Sequence, residues 1–590
     1  MVTVRKVLRR FADVPAYSGL LVVLALAAGC DRESGPPAPP SGEGPAGLPQ
    51  ADDAPIRALY LCANRFVLLN EHPFPVRIAW RVQGTDEHGE QTLKAAPAGD
   101  PEFSEIELSV RQEGALAVYR GDELITVREN ERTACEPTVG RPSLDVAGSA
   151  TVGEWSAPTA WPIVAVHLHL LSTGKVFAWG KFGDPYQWDP ATDTFTAKPV
   201  GSNLFCSGHT MLSNGQLFVA GGHISDAHGL PDANIYDPKT GTWITLPPMS
   251  RGRWYPTVTE LHNGQVLVVA GKDQNGLTVT IPELWNGTSW KQLTAAARTF
   301  PYYPREFVAP NAKVFYAGEQ RATLYYNPLG AYGWSKVADR LYGTRDYGSA
   351  VMYLPGKILY VGGGRTTATA ETIDLNVTPA AWHWTGSMAY PRRHLNATML
   401  PTGEVLVTGG TSGTSFNETS LGVRVAEIWD PATGVWTQLA SNAVNRGYHA
   451  TSLLLPDGRV LHTGSGDALD DNGNPYPDEK NGELFSPPYL FKGARPTITS
   501  APAEPFYGAT ITVSTPNAAQ ITKVSLISIS SVTHAFDANQ RFMWLTFTRT
   551  GTSVNVKLPS LKPLAPPGYY MLFILDGNGV PSVGRMIRLH

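Results

Sequence analysis

The stretch LSNGQLFVAGG, residues 212–222, decides how the chain is read, because it recurs. Related stretches are LSTGKVFAWG at 171–180, LHNGQVLVVAG at 261–271, LPGKILYVGG at 354–363, LPTGEVLVTGG at 400–410 and LPDGRVLHTG at 455–464, with a reduced copy, VFYAG, at 314–318. Each sets a glycine turn before a short apolar run, the pattern of a buried strand entered through a tight turn. Taking 180, 221, 270, 318, 362, 409 and 464 as equivalent, the spacings are 41, 49, 48, 44, 47 and 55 residues. Most units continue with an aromatic residue and Asp or Asn (Tyr236-Asp237, Trp285-Asn286, Tyr326-Asn327, Trp429-Asp430), then a Trp: Trp243, Trp290, Trp334 or Trp436. A period in this range matches kelch-type blades, and seven units predict an all-β, seven-bladed β-propeller over 160–491.

The rest of the chain fits an exported all-β protein. Of 590 residues, 17% are charged and 10% aromatic, with 58 Gly and 48 Pro. Long helices want more Ala, Glu and Lys. Net charge is −4, from 47 Lys+Arg against 51 Asp+Glu, which argues against a nucleic-acid partner. Alternating apolar runs predict a small β-sandwich at 56–145 and a second at 493–590. At the start, Arg5, Lys6, Arg9 and Arg10 precede an apolar stretch at 19–28 and then Ala27-Ala28-Gly29-Cys30. This is a signal sequence, similar to a lipobox in which Cys30 is lipidated. Residues 31–55, rich in Pro and Gly, then form a linker. Export leaves three further cysteines: Cys62 and Cys135 as a candidate disulfide, and Cys206, which is odd. Cys206 reads either as a reactive group or as a small buried apolar residue.

Candidate chemistry gathers at the starts of units. Cys206 precedes Gly221 by 15 residues, Tyr255 precedes Ala270 by 15, and Tyr448 and His449 precede Gly464 by 16 and 15. Equal offsets predict equal height on different blades. His534 stands in the last domain, in SVTHAFD at 531–537.

These motifs, Phe205-Cys206-x-Gly208, Arg253-x-Tyr255, Tyr448-His449 ahead of a Leu455-Pro-Asp-Gly458 turn, and Val532-Thr533-His534 followed by Asp537 and Gln540-Arg541, resemble the radical-copper oxidase family of galactose oxidase and glyoxal oxidase. The resemblance covers about 160–590. It implies an immunoglobulin-like C-terminal domain that supplies a copper ligand. It also implies one copper ion held by Tyr255, Tyr448, His449 and His534, and a Cys206–Tyr255 thioether forming a radical cofactor. Tyr448 would be the base. The implied reaction oxidises a primary alcohol or aldehyde and reduces dioxygen to hydrogen peroxide. Where galactose oxidase covers its thioether with an indole, this chain has Lys272-Asp273, leaving Trp254 or another loop as the shield. Arg365, His394 and Arg305 are expected at the mouth, suiting carbonyl or carboxylate groups. His167, His169, His209, His223 and His228 read as packing or surface residues. The competing reading is a lipid-anchored propeller that binds glycan or protein without catalysis; the complete set of five site residues favours the enzyme.

Overall fold

The computed structural model describes residues 56–62, 65–70, 75–94, 104–112, 114–128, 148–330, 333–469 and 475–590. The signal sequence, Cys30, the 31–55 linker, the Cys62 side chain and Cys135 lie outside the described residues. All described residues fall in one unit, 51–590. Among them no helix is long and apolar enough to cross a membrane.

The fold is all-β: a seven-bladed kelch-type propeller with a β-sandwich on either side in sequence. Repeats one to six each supply the four antiparallel strands of one sheet, and repeat seven supplies three. In blade two the strands are Gly208–Met211, Leu217–Ala220, Ala233–Asp237 and Thr242–Thr245, paired in that order. The apolar run of the repeat is the second strand, and all four of its residues are buried. It is flanked on both sides within its sheet and packed on both faces by neighbouring blades, so no polar alternation is needed.

Blade seven closes the ring with borrowed strands. Its own strands Ala450–Leu454, Val460–Gly464 and Asn481–Ser486 are completed by Glu154–Trp155 and Thr159–Ala160, from before blade one. The ring thus begins ahead of residue 160. Blade one gains an inner addition: Ser531–Thr533, from the C-terminal domain, pairs antiparallel with His167–Leu170. That hairpin carries His534 to the propeller. The rest of the C-terminal domain is a sandwich of a three-stranded and a four-stranded sheet around its own core, including Val513, Leu526, Val556 and Ile574. Residues 56–128 pair a three-stranded with a four-stranded sheet around Phe66, Leu68, Ile78 and Trp80.

Candidate active site

The 15-residue offset is a backbone conformation. Cys206, Tyr255, Tyr303, Tyr347, His394 and His449 occupy that position in blades two to seven, and all six are left-handed, with φ between 47° and 69°. In blade one the position is Ala165, and the site is served instead by His534, also left-handed at φ 46°. None is glycine, so each costs roughly 1–2 kcal/mol. Such strain persists where surrounding contacts over-determine it. Here the residues lace the blades together: Tyr255 N–H donates to the Cys206 carbonyl (2.9 Å), Tyr303 N–H to Tyr255 (3.1 Å) and His394 N–H to Tyr347 (2.9 Å).

A buried arginine holds each lead-in segment in blades three, five, six and seven. Arg253, Arg345, Arg392 and Arg446 donate to the carbonyls of Ala270, Gly362, Gly409 and Gly464, where the second strand ends. Each also pairs with a buried carboxylate on the third strand: Glu283, Glu371, Glu427 or Glu483, at 2.7–3.0 Å. The carboxylate also accepts a backbone N–H from the lead-in segment, as Glu427 does from Ala389 (2.6 Å). The paired glycines permit this closeness. A Cβ on Gly409 would lie 2.7 Å from the Arg446 carbonyl oxygen.

At the centre, Tyr255, Tyr448, His449 and His534 converge. The Tyr255 hydroxyl lies 2.6 Å from the Tyr448 hydroxyl and 3.4 Å from His449 Nε2. The His534 ring centroid is 4.7 Å from that of His449 and 4.5 Å from that of Tyr255. Both imidazoles have their tautomers set from behind. His449 Nδ1 donates to the Gly466 carbonyl (2.6 Å). His534 Nδ1 is 2.7 Å from Thr533 Oγ1, whose own hydrogen goes to the Val166 carbonyl (3.1 Å). A protonated Nδ1 leaves Nε2 with its lone pair facing the centre. Burial pushes His449 down to about 3 and His534 well below the usual imidazole range, so both are neutral. It pushes both phenols well above their ordinary range. The Cys206 thiol is buried in one apolar cluster with Tyr255, and burial raises it too.

These donors fit a copper ion. His534 Nε2 is buried with no hydrogen-bond partner, a cost of about 1–3 kcal/mol unless something accepts its lone pair. Two imidazoles with two phenolates form an N,O set of the kind Cu(II) takes.

Galactose oxidase of Gibberella zeae is 30% identical over 493 residues, covering 74% of this chain and 71% of that protein. The chain belongs to the copper-radical oxidase family. Aldehyde oxidase GLOX1 of Arabidopsis thaliana matches at 27% identity, over 67% of this oxidase and 73% of the plant protein. Family models match as the galactose oxidase-like Early set domain at 495–589, the glyoxal oxidase N-terminus at 364–489 and the kelch motif at 208–250. A solved fungal alcohol oxidase of the AA5 family, in complex with copper, shares the fold, with a TM-score of 0.67 at 24% identity over 74% of this oxidase and all of that chain.

The mouth differs from the sequence expectation. Arg305 is 1% exposed and donates to the carbonyls of Tyr303, Gly348 and His534, so it braces the His534 loop from beneath instead of lining an opening. His394 is also buried, its Nε2 held by the Phe416 carbonyl (2.6 Å) and its ring 5.1 Å from Tyr448, so it packs behind the site. Arg365 is exposed, on the loop between strands two and three of blade five. Arg393 stacks over Tyr347 and Phe416, both of which pack on Tyr448, and pairs with Asp346 at 2.6 Å. His167, His169 and His209 pack together, with Ser531 Oγ bonded to His209 and His169. No group of three or more His, Cys, Asp or Glu among the described residues is arranged to hold a metal.

Two residues beside the site, Tyr303 and Tyr347, escaped the sequence reading, and a third, Trp254, is the shield of the two it offered. Tyr303 packs against Tyr255 and His534, at 4.7 and 4.6 Å. Tyr347 meets Tyr448 edge to face, ring centroids 5.6 Å apart at 88°. Applying the 15-residue offset to every unit would have found both. Trp254 lies flat on Tyr255, centroids 3.7 Å apart and planes 6° apart. Its backbone pairs with Lys272, the position where the indole had been sought.

Proposed function

We propose that this enzyme oxidises primary alcohols or aldehydes with dioxygen and releases hydrogen peroxide, using a Cys206–Tyr255 thioether radical as its second redox centre. The observation that carries the reading is the convergence of Tyr255, Tyr448, His449 and an unpartnered His534 Nε2 beside a buried Cys206. The substrate class follows from the relatives, which include a galactose oxidase and aldehyde oxidases.

Tyr255, Tyr448, His449 and His534 would hold copper. When bound, copper supplies a one-electron acceptor and a Lewis-acid position for the substrate oxygen. The protein's part is then positional. Tyr448 takes the hydroxyl proton as general base. The oxidised Tyr255 ring takes a hydrogen atom from the substrate carbon. The alcohol has then lost two protons and two electrons, one electron to Tyr255 with the hydrogen atom and the other to the one-electron acceptor that copper would supply, and dioxygen takes the two protons and two electrons to leave as hydrogen peroxide: RCH2OH + O2 gives RCHO + H2O2. A thioether on the Tyr255 ring lowers its oxidation potential and spreads the unpaired electron. Phe205, Trp254, Tyr302 and Phe416 give the surroundings an aromatic character that excludes water from the radical. The start of the sequence adds export and a lipid anchor at Cys30 to this proposal.

The test is peroxide release, with oxygen uptake, from copper-loaded protein offered simple primary alcohols and aldehydes. Release by the parent and none by Cys206→Ser at equal copper content is the expected result. Equal rates in the two would remove the thioether from the mechanism.

A further inference from the structure

Resting on the Cys206–Tyr255 cofactor reading, we infer that His223 is a positioning residue for that cofactor: it holds the Trp254 indole flat against Tyr255 through one hydrogen bond and braces Phe205 on the other side.

The Trp254 indole has one polar atom, and Nε1–H donates it to His223 Nδ1 at 3.2 Å. An indole nitrogen is only a donor, so His223 Nδ1 is the unprotonated nitrogen and Nε2 carries the proton. Nε2 faces Asp226, whose Oδ1 is 3.9 Å away. The other charge near this corner is Lys181, 3.6 Å from Asp226. The His223 ring also meets Phe205 edge to face, centroids 5.1 Å apart at 64°. Phe205 directly precedes Cys206, and Trp254 directly precedes Tyr255. One side chain therefore touches the neighbour of each half of the cross-link. Tyr302 stands edge-on beside the stacked pair, 5.1 Å from Trp254 at 87° and 5.2 Å from Tyr255 at 81°. The indole is thus fixed by a stack, an edge contact and one directional bond.

The scaffold for His223 is a small hairpin, His223–Ser225 with His228–Gly229, inserted between the second and third strands of blade two. It is pressed onto the lead-in segment of blade three. A Cβ on Gly229 would lie 2.2 Å from Arg253 C and Trp254 N. His223 N–H donates to the Asn203 carbonyl (3.1 Å), and Gly229 N–H to the Asp273 carbonyl (3.1 Å). The hairpin's contacts are with the segments that carry Phe205 and Trp254 and with Lys272-Asp273 beside them.

An indole whose N–H is engaged by an acceptor carries more electron density in its π system. A stacked, electron-rich ring stabilises an electron-poor neighbour, which the oxidised Tyr255 ring would be. Loss of the bond therefore raises the potential of the radical couple.

The experiment is a redox titration of the radical in copper-loaded protein, followed by its optical and paramagnetic signals, for the parent, His223→Leu, His223→Asn and Trp254→Phe. Asn places an amide oxygen where Nδ1 stood, and Phe keeps a stacked ring without N–H. His223→Leu and Trp254→Phe are expected to shift the radical equilibrium about tenfold toward its reduced form, about 59 mV for one electron, and His223→Asn to restore most of the parent value. With Trp254→Phe already in place, His223→Leu should add nothing. Equal potentials in the parent and His223→Leu, or a further shift on adding His223→Leu to Trp254→Phe, would overturn the inference while leaving the cofactor intact. A parent protein that forms no cross-link and no radical would overturn the cofactor reading and this inference with it.

Discussion

Tyr448→Phe is expected to lower kcat by about 10²–10⁴-fold, the range for removing a general acid–base group. The variant keeps the ring and its contacts with Phe416, His394 and Tyr347, at 4.8, 5.1 and 5.6 Å. It deletes only the hydroxyl, 2.6 Å from that of Tyr255. Because Tyr448 is also a proposed ligand, copper content is measured in the same preparations, and rates are compared at equal occupancy. Cys206 and Tyr255 are untouched, so the cross-link should still be present by mass. A kcat within about threefold of the parent at equal copper would remove Tyr448 from proton transfer.

Arg392→Met is expected to destabilise the propeller by about 3–5 kcal/mol, the effect of leaving a buried charge without its partner. Arg392 and Glu427 side chains are both fully buried. The arginine also ties the Gly409 and Val425 carbonyls to the lead-in segment of blade six. In the Arg392→Met background, Glu427→Gln removes the orphaned charge but keeps an acceptor for the Ala389 N–H. The double variant should therefore recover part of the loss, although Glu427→Gln alone destabilises. Urea denaturation followed by tryptophan fluorescence reads the difference. Additive losses in the double variant would mean that the two charges are not coupled.

The propeller was legible because its signal repeats. An apolar strand after a glycine turn is weak evidence once, but seven copies at 41–55-residue spacing fix the blade count. The offset that linked Cys206, Tyr255 and His449 was legible for the same reason, and it turns out to mark a shared left-handed backbone position. It carried no message about which residue types mattered, so Tyr303 and Tyr347 passed unnoticed. Trp254 shows a different limit. On an extended strand, adjacent residues 254 and 255 would face opposite ways; the left-handed turn at Tyr255 folds their rings together. Arg305 shows a third. A basic residue in a lead-in segment looks like a substrate contact in sequence, but here its hydrogen bonds go to three carbonyls beneath His534. Ring closure by Glu154–Trp155 and Thr159–Ala160 has no repeat signature, since those strands lie far in sequence from the blade they complete.

In the proposed mechanism Cys206 and Tyr255 become one cofactor. Its most direct test is peptide mass mapping of the protein after copper loading in air, with Cys206→Ser as control. The Cys206 and Tyr255 peptides are expected to remain joined under reduction, lighter by two hydrogen atoms than their sum. Separate peptides carrying a free Cys206 thiol after exposure to copper and dioxygen would contradict it.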